Sequence, residues 1–219
     1  GTQGMNGGKW NTTDLHVLPG IEVDSKTDLS LSSTWDLSQS RFSDSGEPGV
    51  LTLRAAGDLK INRDLVDHPT DSFMLPYLFY TNAQQMSSWG MNLVAGADLN
   101  SADTLAVTAG KGDLVIGRQL VYTENAPLRF ASGRDTIVTA GKTAGYMINP
   151  YMGYNIATFD GSIHGETTRG LLLGTDRLGG AIQSASGDID LQVGGTMMLG
   201  KLGAVRTTGF GSVLLGYSD

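Results

Sequence analysis

Short runs alternating apolar and polar residues recur along the chain, and they recur around the same kind of turn. Residues 21–31 read IEVDSKTDLSL and residues 51–61 read LTLRAAGDLKI. Aligned, Ile21 falls on Leu51, Val23 on Leu53, Leu29 on Leu59 and Leu31 on Ile61, with Asp28 on Asp58. Residues 91–99 (MNLVAGADL) repeat the frame through Met91, Leu93, Asp98 and Leu99. Residues 128–138 (LRFASGRDTIV) repeat it through Leu128, Phe130, Asp135 and Val138. Two further copies differ by one residue in length, LAVTAGKGDLVI at 105–116 and IQSASGDIDL at 182–191. A period of two places alternate side chains on opposite faces, so each half of the phrase predicts a short strand with one buried face.

The unit is therefore strand, small-residue corner ending in Asp, strand. Its aspartates lie 30, 40, 15, 22 and 53 residues apart, so copies recur at irregular intervals. A hairpin meander would also alternate, but the repeated strand–corner–strand phrase is better explained by coils of a solenoid. In such a fold each coil stacks its strands in parallel on the preceding coil, and the inward side chains form continuous apolar columns. Helical periodicity is weak throughout. The expected class is all-β, a solenoid of the parallel β-helix type, formed as a single segment over residues 1–219. On the period-two assignment, Leu53 faces the core and Thr52 faces outward, so Leu53→Asp is expected to be severe and Thr52→Asp mild.

The phrase is interrupted twice, over about 62–90 and about 142–180. These stretches hold nine of the sixteen aromatic residues, with Met74, Met86, Met147 and Met152 among them. Insertions in a solenoid leave from its surface, and loops on rigid scaffolds commonly carry binding function. Tyr and Trp combine a large contact area with a polar group. Tyr77, Tyr80, Trp89, Tyr146, Tyr151 and Tyr154 are the candidate binding residues, for a protein or glycan partner. The competing reading has these aromatics covering the flank of the helix.

Composition narrows the alternatives. Glycine contributes 31 of 219 residues, about twice the usual share of ~7%, without the three-residue period of collagen. It reads as the punctuation of many turns. The net charge of −7 and the lack of any basic run argue against a nucleic-acid partner. There is no cysteine, which excludes disulfides and Cys-ligated metals. No apolar run is long enough to span a bilayer as a helix.

Little in the chain suggests catalysis. The recurring Asp28, Asp58, Asp98, Asp113, Asp135 and Asp188 could stack as oxygen ligands for calcium, but the nonapeptide calcium repeat is absent. A corner carboxylate accepting backbone N–H groups is the simpler account. His16, His68 and His164 show no metal-ligand spacing and read as solvent-facing loop residues. No metal and no cofactor is expected. Asp188 and Asp190 share a strand face, and Asp160, Glu166 and Asp176 could converge between the interruptions. Those acids keep open a carbohydrate-active enzyme, a polysaccharide lyase or hydrolase, on the same scaffold.

The segment 18–61, with LPGIEVDSKTDLSLSSTWDLS, Trp35, Arg41, Gly46 to Gly49 and LTLRAAGDL in this order, resembles the filamentous haemagglutinin family, large bacterial exoproteins of the two-partner secretion type. The likeness is looser through 91–141 and 182–215. The NPNG-type and NPNL-type phrases of the family's secretion domain are missing, since INPYMG at 148–153 is neither, so the chain resembles a segment downstream of that domain. The resemblance implies a right-handed parallel β-helix, export to the medium or cell surface, and a role in adhesion or biofilm. It further implies a surface protein or glycan on a host or neighbouring cell as partner, and an outer-membrane secretion partner for the full-length protein. End-to-end self-association is a further expectation, because uncapped solenoid ends tend to stack.

Overall fold

Alternation and turn chemistry act together in a computed structural model, which describes residues 19–42, 46–67, 87–139, 155–174, 179–201 and 203–207. The described residues form eighteen strands and no helix. The strands fall into six coils of three. Coil 1 holds β1 (Gly20–Ser25), β2 (Leu29–Leu31) and β3 (Trp35–Asp36); coil 2 holds β4 (Val50–Ala55), β5 (Leu59–Ile61) and β6 (Leu65–Val66). Coil 3 holds β7 (Gly90–Ala95), β8 (Leu114–Ile116) and β9 (Val121–Thr123); coil 4 holds β10 (Leu128–Ser132), β11 (Asp135–Val138) and β12 (Ile156–Thr158). Coil 5 holds β13 (Ile163–Thr167), β14 (Gly170–Leu173) and β15 (Ala181–Ser184); coil 6 holds β16 (Ile189–Val193), β17 (Thr196–Leu199) and β18 (Ala204–Thr207).

Each strand pairs in parallel only with its counterparts in neighbouring coils. The result is three six-stranded sheets: sheet 1 runs from β1 to β16, sheet 2 from β2 to β17 and sheet 3 from β3 to β18. This is a parallel β-helix, as the repeated phrase predicts.

The register follows the sequence alignment. Ile21 pairs with Leu51 and Val23 with Leu53, Leu29 with Leu59 and Leu31 with Ile61. Met91 and Leu93 continue the sheet 1 columns, as do Leu128 and Phe130. Inward side chains of all three sheets join one continuous apolar cluster, from Leu31 in coil 1 to Ile182 in coil 5. Burying each Leu, Ile or Val there contributes about 1.5–3 kcal/mol, and only neighbouring coils provide the partner surface. Where Phe130 fills the sheet 1 column, the next coil places Gly165. A Cβ at that glycine would collide with the Phe130 ring.

Several sequence assignments shift. Residues 91–99 and 105–116 are not two coils: β7 comes from the first phrase and β8 from the second, and both belong to coil 3. Between them residues 96–113 leave the helix and return at the corner between sheets 1 and 2. An antiparallel bridge, Ala97 to Val107, closes this excursion. Its neck is two glycines in the left-handed region, Gly96 and Gly112, each at φ 69°. A Cβ on either would strike backbone of the opposite limb. Leu99, Leu105 and Val107 fold back over Val94, Ala97 and Ala131 on the outer side of sheet 1.

That cover changes what an outward residue is. Arg54 is 4% exposed and Thr52 is 6% exposed, although both point away from the core. The Arg54 guanidinium donates to Glu22 Oε1 at 2.7 Å and to the Asp98 carbonyl at 2.8 Å. Thr52 Oγ1 accepts from Asn92 Nδ2 at 3.0 Å. Thr52→Asp is therefore not the mild substitution that strict alternation implies, because it buries a second charge on this face.

The interruptions are also narrower than 62–90 and 142–180. Leu65–Val66 is coil strand β6, and β12, β13 and β14 occupy most of 156–173. Their apolar-x-apolar runs are short and interspersed with Gly and Thr, so the pattern was weakest where these strands begin.

Candidate functional site

The recurring aspartates stand mainly at the corner between sheets 1 and 2. Asp28 Oδ1 accepts the Asp58 N–H at 2.9 Å, and Asp58 Oδ1 accepts the Asp113 N–H at 3.0 Å. Asp113 Oδ1 in turn accepts the Asp135 N–H at 3.1 Å. Each carboxylate thus caps a backbone donor one coil further on, the corner role expected of it. Cations line the ladder: Arg134 meets Asp113 at 2.7 Å and Asp58 at 3.1 Å, Lys60 meets Asp58 at 3.4 Å, and Arg169 meets Asp135 at 2.5 Å. The Arg134 hydrogen bond holds the Asp113 carboxyl below the usual carboxylate value, against a smaller opposing effect of burial.

Two of the six depart from this ladder. Asp98 lies in the coil 3 excursion, where its Oδ1 accepts the Asn100 N–H at 3.1 Å. Asp188 lies at the corner between sheets 3 and 1, and its carbonyl accepts the Ile163 N–H at 2.8 Å. The phrase at 182–191 therefore bridges a different corner from the others. Among the described residues no group of three His, Cys, Asp or Glu side chains could hold a metal ion.

Of the candidate binding residues, the structure describes Trp89; Tyr77, Tyr80, Tyr146, Tyr151 and Tyr154 lie outside the described residues, as do Asp176, His16 and His68. Trp89 is 1% exposed and belongs to the core cluster. It is a packing residue rather than an open contact surface. Its indole N–H donates to the Ser40 carbonyl at 2.6 Å, and its ring meets Phe42 with centroids 5.2 Å apart.

Trp89 also completes a clasp at the corner between sheets 3 and 1. Its backbone N–H donates to Asp67 Oδ2 at 2.5 Å. Arg41 donates to Asp67 Oδ1 at 2.9 Å and Oδ2 at 3.3 Å, and to the Leu37 carbonyl at 2.6 Å. Burial pushes the Asp67 carboxyl above its ordinary value, opposed by the Trp89 N–H and then by Arg41. The clasp ties residues 67 and 89 together, so the chain leaving after Asp67 departs from a closed base. Ser88 strengthens the return: its Oγ accepts from the Asn125 and Ala126 N–H groups at 2.9 and 2.8 Å. In chain order, residues 68–86 lie between β6 and β7, and residues 140–154 between β11 and β12. On the outer side of sheet 3, Val66, Leu120, Tyr122 and Ala157 form a separate apolar cluster.

The main polar constellation lies on the outer side of sheet 1. His164, expected in a loop, sits in β13 and is flanked by two acids. Its Nδ1 is 3.0 Å from Asp190 Oδ2 on the next coil, and its Nε2 is 2.9 Å from Glu166 Oε1 two residues on. Arg129 occupies the neighbouring position on β10. The i, i+2 pairing of His164 and Glu166 follows from strand alternation, whereas Asp190 arrives only through coil stacking. Asp160 sits at a corner with its N–H on the Glu124 carbonyl at 3.0 Å, and Asp188 precedes the strand that carries Asp190. The chain thus assembles an imidazole between two carboxylates, a group that can exchange protons and bind polar ligands. No family model, curated protein or solved structure matches the chain.

Proposed function

We propose that this chain is a rigid adhesive segment of a secreted or cell-surface bacterial exoprotein, of the kind the 18–61 resemblance implies. The observation that carries the reading is the continuous stack of six parallel coils, whose sequence is interrupted by the aromatic-rich stretches 68–86 and 140–154. A continuous apolar column makes a stiff shaft, because a coil gains its partners only from adjacent coils. Connections with pinned bases, as at Asp67 and Trp89, hold side chains for a surface protein or glycan without disturbing that column. The aromatic residues Tyr77, Tyr80, Tyr146, Tyr151 and Tyr154 supply the contact chemistry in this reading, and an outer-membrane partner exports the full-length protein.

The test is attachment of beads carrying the purified chain to bacterial cells, host cells and glycan-coated surfaces. Attachment is expected, and it is lost when all five tyrosines become alanine while the melting temperature holds. A folded chain that attaches to none of these surfaces overturns the proposal.

A second reading draws on one specific observation, the Glu166–His164–Asp190 row. Two carboxylates and an imidazole on one sheet face are the groups that glycoside hydrolysis or elimination employs. Release of reducing ends or unsaturated products from acidic polysaccharides, abolished by Glu166→Gln, would favour a carbohydrate-active enzyme instead.

A further inference from the structure

On the outer side of sheet 1 two columns of side chains run through the six coils. One is Glu22, Thr52, Asn92, Arg129, His164 and Asp190; the other is Asp24, Arg54, Val94, Ala131, Glu166 and Gln192. In coils 2 and 3 both columns are closed: Thr52, Arg54, Asn92 and Val94 are buried. Their polar groups bond one another or coil 1, Asn92 to Thr52 and Arg54 to Glu22. The cover extends as far as Ala131, against which Leu99, Leu105 and Val107 pack. Beyond that point the columns open. Arg129 and Gln192 are exposed, and the side chains of Glu166 and Asp190 are 50% and 64% exposed.

The open stretch holds polar groups that no other described residue uses. Arg129 pairs with no carboxylate among the described residues, although Glu166 and Asp190 stand on the same face. His164 engages one oxygen of each acid, Glu166 Oε1 and Asp190 Oδ2. Glu166 Oε2, Asp190 Oδ1 and the Gln192 amide have no partner among the described residues. The imidazole thus fixes both carboxylates in place and leaves one oxygen of each available, a preorganised set of acceptors.

We propose that this patch binds a glycan in which an acidic sugar is followed by a neutral one. A guanidinium grips a carboxylate through two parallel N–H donors, so Arg129 takes the acidic sugar. The free oxygens of Glu166 and Asp190 accept hydroxyl hydrogens, and Gln192 both donates and accepts, so these three take the neutral sugar. Two carboxylates repel a second anion there, which sets the patch against a glycan charged on every residue. Length agrees with this division. Neighbouring strands lie about 4.8 Å apart, so Arg129 and Asp190, two coils apart, are separated by roughly 10 Å at the backbone. Two linked sugar rings cover about that length.

The patch shares its row with the hydrolytic reading but the claim is binding, and it uses none of the five tyrosines of the adhesive reading. The test titrates the purified chain by calorimetry with three probes. These are a hyaluronan oligosaccharide, whose uronates alternate with neutral sugars, an oligogalacturonate, charged on every residue, and a neutral cello-oligosaccharide. The first is expected to bind at least about tenfold more tightly than either of the others. Arg129→Gln is expected to reduce it to the level of the neutral probe with the melting temperature unchanged, because Arg129 has no partner among the described residues to lose. The double variant Glu166→Gln, Asp190→Asn is expected to admit the oligogalacturonate, a gain that a merely structural role does not produce. A folded wild type that binds none of the three, or all three equally, overturns the inference. So does an Arg129→Gln chain that binds the alternating probe as wild type does. Binding that survives alanine at all five tyrosines supports a site separate from the adhesive connections, and binding lost with them overturns it. Binding without release of products supports the inference and counts against the hydrolytic reading alone.

Discussion

Two corners of the same coil use the same chemical device in opposite surroundings. Between sheets 1 and 2, Asp28, Asp58 and Asp113 accept backbone N–H groups in a half-exposed ladder bordered by Lys60, Arg134 and Arg169. Between sheets 3 and 1, a fully buried Asp67 accepts the Trp89 N–H and an arginine whose side chain is 10% exposed. The first arrangement repeats and each link is replaceable. The second occurs at one level and joins three segments of chain. Solvent shares the load in the ladder, whereas the clasp has only protein partners to satisfy its charges.

The difference should be largest when each carboxylate is removed. Asp67→Ala leaves the largely buried Arg41 guanidinium without its anion and the Trp89 N–H without its acceptor. Breaking a buried pair in this way costs about 3–5 kcal/mol, measurable by denaturant unfolding. Asp58→Ala removes one N–H cap and two partly screened ion pairs, with Arg134 and Lys60, an expected loss of about 1–2 kcal/mol. Equal losses at the two corners would show that burial does not distinguish them.

Acidity should separate the corners by sign. Arg134 lowers the Asp113 carboxyl, so its contribution is complete above the unfolded value of 3.8 and disappears as pH falls through the folded value. The stability advantage of wild type over Asp113→Asn should therefore shrink on acidification below 3.8. Burial raises Asp67, so its contribution is complete below 3.8 and fades as pH rises through the folded value. Wild type should accordingly gain on Asp67→Asn as the solution is acidified, by thermal melts in a common buffer series. The smallest effect is expected at Lys60, 40% exposed and 3.4 Å from Asp58. Lys60→Ala should change stability by no more than about 0.5 kcal/mol, and that small change should diminish further in high salt.

The same contrast explains how much could be read from the chain. The ladder was legible because it repeats: an Asp at the end of a small-residue turn, between apolar pairs, needs only the local phrase to be recognised. The clasp has no such signal. Arg41, Asp67 and Trp89 are separated by 26 and 22 residues, and none has a counterpart at the same corner to align with. Trp89 therefore read as an insertion aromatic when it is a core residue. His164 and Glu166 were visible as alternate positions of one strand, but Asp190 joined them only when β16 stacked on β13.

By itself, then, the sequence determined the all-β class, the inward columns and the register of the early coils. Those depend on period-two alternation and on turn residues, both set within about ten residues of chain. Only the tertiary structure decided that residues 91–99 and 105–116 share one coil, and that Asp188 serves another corner. It alone placed Thr52 and Arg54 under cover on a nominally outer face. The physical reason is distance along the chain: alternation assigns a side chain to a face, but whether that face meets water depends on which remote segment folds across it.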